Sequence, residues 1–404
     1  MNRRELINEV KSKLEEYLPT LKKNNNKNNI KDALSYNYDR ANDTIVKIFT
    51  YSEREQFEAP IKSLLNEKFI MENYSEEYIQ KQIIYYYHKI LQGKSELDDI
   101  ESLISSLLDK PIKNFSVISE IENIRIIDNQ KYELINSTIK ILELKDLLFK
   151  KEEFNILNHR NFELLNKPCI FTKIQAGESE KAKELALHNF MVSFNLLKLY
   201  TPNFKPVLKG CLLSGNQQLI VFNENEMSLS HDLSKTGNLL LNHAYLSKKG
   251  YNQLKELGIE ELRRITPISK VVKECLYWYG LGLEEKHPSA RLLNFVTVLE
   301  SSLKKESEQT ELRRSVSERG AIFLYDKFEQ RKIALKQLKT IYDQRSKVIH
   351  TGTLINDNDL SSLAGGYARE ILIKLIKMSK QFGGNFEKFI DYLDNLKLGG
   401  DSKK

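Results

Sequence analysis

The last third of the chain most constrains the fold, because apolar residues recur there at helical spacing between clear start and stop signals. Thr266-Pro267 and Pro288-Ser289 place proline in the first turn of a helix, and Gly383-Gly384 ends one. These signals predict five helices and a shorter sixth, at 266–283, 290–305, 311–328, 330–350, 357–381 and 386–396. Short connections favour antiparallel neighbours, so we predict a helical bundle over 265–396 and a flexible tail at 397–404.

Two regions with different patterns precede the bundle. Residues 1–109 show helical apolar spacing in successive segments, at 1–20, 33–50, 52–73, 75–91 and 98–108. Residues 110–260 instead contain one amphipathic helix at 178–200 and short β-branched segments that indicate strands, at 115–118, 124–127, 135–142, 169–174, 207–213 and 218–222. The predicted fold class is therefore mixed, with an N-terminal helical region, a central α+β region of short antiparallel strands, and a C-terminal all-α helical bundle.

Composition and charge narrow the class of protein. The 404 residues are 41% hydrophobic and 29% charged, as is typical of a globular chain, and no uncharged apolar run predicts a membrane span. Three widely separated cysteines and a charged N-terminus favour neither a disulfide framework nor a secretory leader, so a cytoplasmic location is expected. The net charge is +7, and residues 265–404 hold 24 Lys and Arg against 18 Asp and Glu. This basic balance favours an anionic partner.

Two patterns related to nucleotide or metal binding are weak. Gly93-Lys94-Ser95 is similar to the end of a phosphate-binding loop, but His88 occupies the position where such a loop needs glycine. Glu143 and Lys145, with Asp128 upstream, faintly suggest the metal-binding core of a nuclease, although so short a pattern is common in a charged chain. The other histidines show no paired spacing typical of metal ligands, so no metal site is predicted.

The pattern that indicates chemistry is Arg345 followed five positions later by His350, near the C-terminal end of a predicted helix. An arginine offers a fixed fork of donors to a phosphate, and a histidine transfers protons near neutral pH, so the pair could cleave RNA. Five residues on an ideal helix set the two side chains about 140° apart. They therefore converge only if the last turn distorts or if a second copy of the chain completes the site.

Neighbouring residues are candidates for supporting roles. Tyr342 precedes Arg345 by one turn, and Glu300 ends an apolar run in an earlier helix from which it could orient the arginine. A basic stripe on the same helix favours an anionic ligand. The candidate RNA contacts in this stripe are Lys336, Lys339 and Lys347.

The ending Y-D-Q-R-S-K-V-I-H-T-G, at 342–352, resembles the signature of HEPN domains of the Apea-like subgroup. The stretches R-L-L-N-F-V-T-V-L-E-S-S-L at 291–303 and S-E-R-G-A-I-F-L at 317–324 also resemble the second and third helices of that subgroup. The resemblance covers about residues 265–385, one third of the chain. The commonest HEPN pattern has Asn, Asp or His after the arginine, whereas this chain has Ser346, a candidate auxiliary residue.

The resemblance implies a metal-independent endoribonuclease without a cofactor. Arg345 would bind the scissile phosphate, and His350 would act as general base or acid on the 2′-hydroxyl or the leaving oxygen, so that products carry a 2′,3′-cyclic phosphate. The resemblance also implies a homodimer in which two helix ends face each other. The substrate would be RNA, with tRNA as one candidate, and cleavage would abort phage infection. Residues 1–260 would then sense a phage-derived activator or gate the nuclease.

Two other functions stay open. A non-catalytic RNA-binding or protein-interaction bundle would use Arg345 and the basic stripe but would not need His350. A metal nuclease in the central region would use Glu143 and Lys145, and EDTA would inhibit it.

Overall fold

The computed structural model divides into two compact units. The first comprises Met1–Val117, Lys173–Ala186 and Leu219–Ser230, and the second comprises Ile118–Thr172, Leu187–Gln218 and His231–Lys404. The residues that the structure describes are 2–25, 35–39, 44–48, 50–122, 124–126, 130–143, 166–201, 206–208, 210–211, 216–222, 227–233, 244–246, 252, 254–305, 307–308, 311–355 and 357–399.

The first unit begins with helices that share one apolar cluster. They are α1 (Arg3–Asn25), α2 (Tyr51–Leu65), α3 (Lys68–Asn73), α4 (Glu76–Leu91) and α5 (Ile100–Asp109). On α1, Leu6, Val10 and Leu14 recur at four-residue spacing and are all buried in that cluster. Thr50 caps α2 with a capping box, and the Ser75 hydroxyl caps α4 by accepting from a backbone N–H. The predicted helices at 52–73, 75–91 and 98–108 are confirmed, with the first divided into α2 and α3.

The helix predicted at 33–50 is wrong. This segment contains two antiparallel strands, β1 (Ser35–Asp39) and β2 (Thr44–Ile48). In the sequence, Tyr36 and Tyr38 alternate with other residues, and β2 begins with a β-branched Thr-Ile-Val run. Aromatic and β-branched residues at a period of two favour strands, and here this preference outweighs the helical spacing.

Gly93 ends α4 and does not open a phosphate-binding loop. Its φ of 68° lies in the left-handed region that glycine adopts without strain. The Lys94 N–H donates to the Lys89 carbonyl at 2.9 Å, and the Gly93 N–H donates to the Ile90 carbonyl at 3.0 Å. This is a helix-terminating pattern. Because a phosphate-binding loop precedes its helix, the Gly-Lys-Ser sequence here is explained by helix capping.

The middle of the chain supplies further strands. In chain order they are β3 (Lys113–Glu122), β4 (Ile124–Ile126), β5 (Tyr132–Glu133), β6 (Thr138–Ile141), β7 (Pro168–Ala176), β8 (Val207–Leu208), β9 (Gly210–Cys211), β10 (Asn216–Phe222), β11 (Met227–Leu233) and β12 (Ala244–Leu246). The larger sheet has the order β11-β10-β3-β7-β6-β5, with β8 beside β3 and β9 beside β10. The pairs β5–β6, β6–β7, β3–β8 and β9–β10 are antiparallel. Ile139 on β6 lies opposite Tyr132 and Ile170, and all three side chains are buried. The mixed layout predicted for the chain is confirmed at this coarse level.

One strand pair differs from the antiparallel prediction. β4 and β12 pair in parallel, with Ala244 opposite Ile124 and Leu246 opposite Ile126. Parallel strands need a long connection, and the chain between 126 and 244 provides one. Because β12 lies far from β4 in sequence, no local signal could predict this pairing.

The second unit ends in a set of long helices. They are α7 (Pro267–Glu284), α8 (Pro288–Leu303), α9 (Leu312–Leu324), α10 (Phe328–Thr351), α11 (Asn358–Met378) and α12 (Phe386–Lys397). Helix α6 (Ser179–Lys198) comes earlier in the chain, and its residues belong to the first unit as far as Ala186 and to the second from Leu187. Every predicted helix from α7 to α12 is present, so the helical character of the C-terminal region is confirmed. α8 packs against α7, α10 and α11 and is therefore central among them.

Glycines allow α8 to lie close to two of its neighbours. A Cβ atom at Gly282 on α7 would lie 2.5 Å from the Phe295 ring, and one at Gly365 on α11 would lie 2.7 Å from it. Both distances are shorter than carbon contacts permit. The Phe295 ring thus fixes α8 between α7 and α11. This position directs Glu300, near the end of α8, toward α10.

Candidate active site

The predicted arginine and histidine lie in the last two turns of α10. Ile341 and Tyr342 are buried and anchor this part of the helix in the bundle. Gly352 follows the helix with a φ of 66° and ends it without strain. The backbone is helical through both Arg345 and His350. A distorted last turn therefore does not bring the two side chains together.

The chain after α10 is fixed to the start of α8. The Ile355 N–H donates to the Ser289 hydroxyl oxygen at 2.7 Å, and the Ser289 hydroxyl lies 3.3 Å from the Ile355 carbonyl. Leu354 is held just before this contact and is 66% exposed. Ile349, in the last turn of α10, is 47% exposed. The end of α10 therefore presents two large apolar side chains on an ordered surface.

Arg345 forms a loose ion pair across the bundle. Its Nη2 atom lies 3.6 Å from Oε1 of Glu300 on α8, and the two side chains are 30% and 20% exposed. This distance is too long for a hydrogen bond. Within the described residues, the guanidinium group makes no other ion pair. Its charge is thus held in place while its N–H donors stay available to a ligand such as a phosphate.

Tyr342 lies beneath this ion pair. Its side chain is 5% exposed, and within the described part of the chain its hydroxyl makes no hydrogen bond of acceptable geometry. Burial raises the pKa of Tyr342 well above its usual value, and the nearby Glu300 carboxylate raises it further. Tyr342 is therefore neutral at physiological pH, and its buried hydroxyl group keeps its proton near the Glu300 carboxylate.

His350 lies on a different face of α10 from Arg345. It is exposed, and on a regular helix it is about 140° around the axis and about 7.5 Å further along it. The structure thus brings Arg345, Glu300 and Tyr342 together in one chain, and it does not bring His350 to them.

The basic stripe shares the exposed face of His350. At about 100° per residue, the three candidate lysines and the histidine fall within an arc of about 80°. Lys336 and Lys347 are exposed, Lys339 is half-buried, and Ser346 is exposed next to Arg345. One side of α10 is therefore basic and open, while Arg345 points toward α8.

A second arginine in this region was not predicted from the sequence. Arg319 on α9 is 4% exposed. Its Nε and Nη2 atoms donate to the Asp394 carboxylate at 2.8 and 3.0 Å, and its Nη1 atom donates to Glu308 at 2.7 Å and to the Leu303 carbonyl at 2.9 Å. Arg319 thus connects α9 with α12, the end of α8 and the segment between α8 and α9.

A sequence signal for Arg319 exists in the helical spacing. It stands three residues after Val316 and four before Phe323, which are both buried on the inner face of α9. A charged residue in an apolar stripe needs a partner of opposite charge. The sequence does not reveal which carboxylates pair with Arg319, because Glu308 and Asp394 lie in other segments.

The alternative metal site is described only in part. Glu143 lies just after β6, whereas Asp128 and Lys145 fall outside the described residues. Among the side chains that the structure describes, no group of three or more His, Cys, Asp or Glu is placed to hold a metal ion. This alternative therefore has no ligand set in the described part of the chain.

Comparisons with protein-family models, with curated proteins and with solved structures found no match to this chain. The HEPN type of the bundle and the roles of its residues thus stay predictions from the sequence. A separate finding concerns membranes, since none of the described helices is long and apolar enough to cross one.

Proposed function

We propose that this chain is a metal-independent endoribonuclease of an anti-phage, abortive-infection system, with its active site at the end of α10. The observation that carries the proposal is the state of Arg345. Within the described residues, its guanidinium group is positioned by Glu300 at 3.6 Å without being saturated by hydrogen bonds, while exposed His350 and the basic stripe occupy another face of the same helix. A cation held in this way suits a phosphate that arrives with RNA.

The proposed reaction uses the substrate's own 2′-hydroxyl as nucleophile. His350 removes the proton from this hydroxyl, the oxygen attacks the adjacent phosphorus, and the bond from phosphorus to the 5′-oxygen breaks. The 5′-oxygen leaves and takes up a proton. Arg345 stabilises the charge that develops on the non-bridging oxygens. The products carry a 2′,3′-cyclic phosphate and a 5′-hydroxyl, and DNA is resistant because it lacks the nucleophile.

The active unit is proposed to be a homodimer. In one chain, Arg345 and His350 face different directions, so a second α10 end is needed to place a histidine beside an arginine. Exposed Ile349 and Leu354 next to the pair offer apolar area for such a contact. Residues 1–260 are proposed to sense a phage-derived activator or to restrain the nuclease.

The test is cleavage of total RNA and tRNA by the full chain in EDTA, together with phage challenge of a bacterial host that expresses it. Arg345→Ala and His350→Ala are each expected to lower cleavage at least about a hundredfold, because each removes a group that acts on the transition state. Lys388→Ala, an exposed change on α12 and so outside the basic stripe, is the control and is expected to cleave normally. Unchanged cleavage by the His350→Ala variant would contradict the mechanism.

Mixing the two inactive variants tests the dimer. If arginine and histidine act across the interface, a hybrid dimer of Arg345→Ala and His350→Ala chains keeps one intact site. An equal mixture should then recover about a quarter of wild-type activity, since half the dimers are hybrid and each has one of two sites. If both residues act from the same chain, the mixture stays inactive.

A non-catalytic RNA-binding role is the second candidate, and one observation favours it. His350 is exposed, and within the described residues no hydrogen bond fixes its imidazole ring. In this case the basic stripe would bind RNA without cleavage. The His350→Ala variant would then retain both its affinity for RNA and its protection against phage.

A further inference from the structure

An aromatic and basic cluster lies on α7 and α6. The Tyr277 ring lies 5.7 Å from the His188 ring at an interplanar angle of 35°, and 5.9 Å from the Trp278 ring at 77°. Trp278 is the single tryptophan of the chain and is 36% exposed. We name the four residues Lys273, Tyr277, Trp278 and His188 the α7 platform.

Lys273 adds an unpaired positive charge to the α7 platform. It precedes Tyr277 by four residues and so shares its face of the helix. Lys273 is half-buried, and within the described residues it forms no ion pair. Burial alone lowers the pKa of Lys273, so its charged form is incompletely solvated. An anion beside its ammonium group would stabilise the charged form, which has lost part of its solvation through burial.

His188 makes the α7 platform less polar. Burial, with the neighbouring charge of Lys273, lowers the pKa of His188, and exposed Glu274 opposes this shift. Its imidazole ring is therefore neutral near pH 7 and supports the Tyr277 ring as a flat partner. The α7 platform thus combines an exposed aromatic surface with one unsatisfied cation.

We infer that the α7 platform binds a single-stranded RNA segment, with a base stacked on Trp278, its edge toward Tyr277, and a phosphate at Lys273. Unpaired bases stack on aromatic side chains, whereas a duplex hides the faces of its bases. The inference rests on the proposed ribonuclease function, to which it adds a substrate contact remote from the reacting groups. It also selects unpaired RNA as the substrate class.

A groove next to Glu300 of the candidate active site is lined in part by α7. It has a volume of about 710 Å³, and its lining includes Lys270 and Glu274 on α7, Glu300 on α8, and Lys304 and Lys305 beyond it. Glu274 is adjacent to Lys273 in the chain, and Glu300 contacts Arg345. The groove thus reaches the ion pair of Arg345 through Glu300, whereas the residues of the α7 platform are not among those that line it.

The experiment measures binding separately from cleavage, in the full chain carrying His350→Ala. The probe is an unstructured, fluorescein-labelled RNA of 12 nucleotides, with the same sequence as a duplex for comparison. Single-stranded RNA is expected to quench the fluorescence of Trp278, while the duplex does not. Trp278→Leu is expected to raise the Kd about fivefold or more, the lower end of the cost of losing a stacked base. Lys273→Gln is expected to raise the Kd as well, because it removes the phosphate contact.

The matched control is Phe328→Leu, which removes an exposed aromatic at the start of α10 and is expected to leave the Kd unchanged. Absence of RNA binding would overturn the inference, as would binding that neither quenches Trp278 nor weakens in the two platform variants. Quenching in the His350→Ala chain with an intact α7 platform is decisive even if a platform variant fails to fold. If RNA binds the α7 platform but wild type does not cleave it, only the proposed ribonuclease function fails.

Discussion

Two arginines in the C-terminal helices differ in how their donors are used. Arg319 is 4% exposed and donates four hydrogen bonds, two of them as a fork to Asp394. Arg345 is 30% exposed and, within the described part of the chain, has one ion pair, to Glu300 at 3.6 Å. Both stand on amphipathic helices of the same unit. Their side chains nevertheless serve different purposes.

The difference shows how a charged side chain that stabilises the fold can be distinguished from one that is free to bind a ligand. Arg319 uses four of its five N–H donors in the fold, so a ligand could take them only by breaking contacts such as those between α9 and α12. Arg345 is oriented but unsaturated, so a phosphate could bind without disturbing the fold. A partly exposed cation with free donors is therefore a better functional candidate than a buried cation with perfect geometry.

Removing Arg319 should have the largest effect on stability. Arg319→Leu leaves the Glu308 and Asp394 carboxylates without their shared cation and is expected to cost about 3–5 kcal/mol in the free energy of unfolding. Denaturant unfolding of the purified chain measures this. Arg314→Leu, which removes an exposed arginine of the same helix, is the control and should change stability little. Similar free energies of unfolding for the two variants would mean that the contacts of Arg319 do not stabilise the fold.

Glu300 should have a smaller effect, mainly on activity. Glu300→Gln preserves the shape of the side chain but removes the charge that positions Arg345. Cleavage is expected to fall about tenfold, since misplacement of a catalytic group is costly, while the unfolding transition stays close to that of wild type. Measurement of RNA cleavage and unfolding for the same preparation tests both parts. An increase in cleavage would show instead that Glu300 competes with the phosphate for Arg345.

The smallest expected effect is a dependence of stability on pH, which arises from the Asp394 carboxylate that binds Arg319. Burial alone would raise the pKa of Asp394, but its hydrogen bonds and ion pair with Arg319, and those with Lys305, outweigh burial and lower it. A carboxylate with a lowered pKa in the folded state stabilises the fold above its unfolded pKa of about 4. This contribution is lost as pH falls through the folded pKa. The stability difference between wild type and Asp394→Asn should therefore shrink below about pH 4, and a constant difference would refute the role of ionised Asp394.

The sequence predicted the candidate site unevenly. Helical spacing and the Arg345–His350 pattern were enough to place both residues at a helix end, and Glu300 was identified as a possible orienting group because it ends an apolar run. The α7 platform was missed because Tyr277 was interpreted as part of the apolar pattern of its helix. Its relation to His188 depends on the packing of α6 against α7, which no local pattern encodes.

The sequence by itself determined where helices begin and end in the last third of the chain, because proline, glycine and apolar spacing act within a few residues of each other. It also determined that this region holds more Lys and Arg than Asp and Glu. Only the tertiary structure decided which charges are satisfied, because Arg319 and Asp394 are 75 residues apart along the chain. The same holds for Arg345 and Glu300, whose distance follows from the packing of α8 against α10. Pairing between distant side chains depends on how whole helices pack, and that packing is a property of the complete fold.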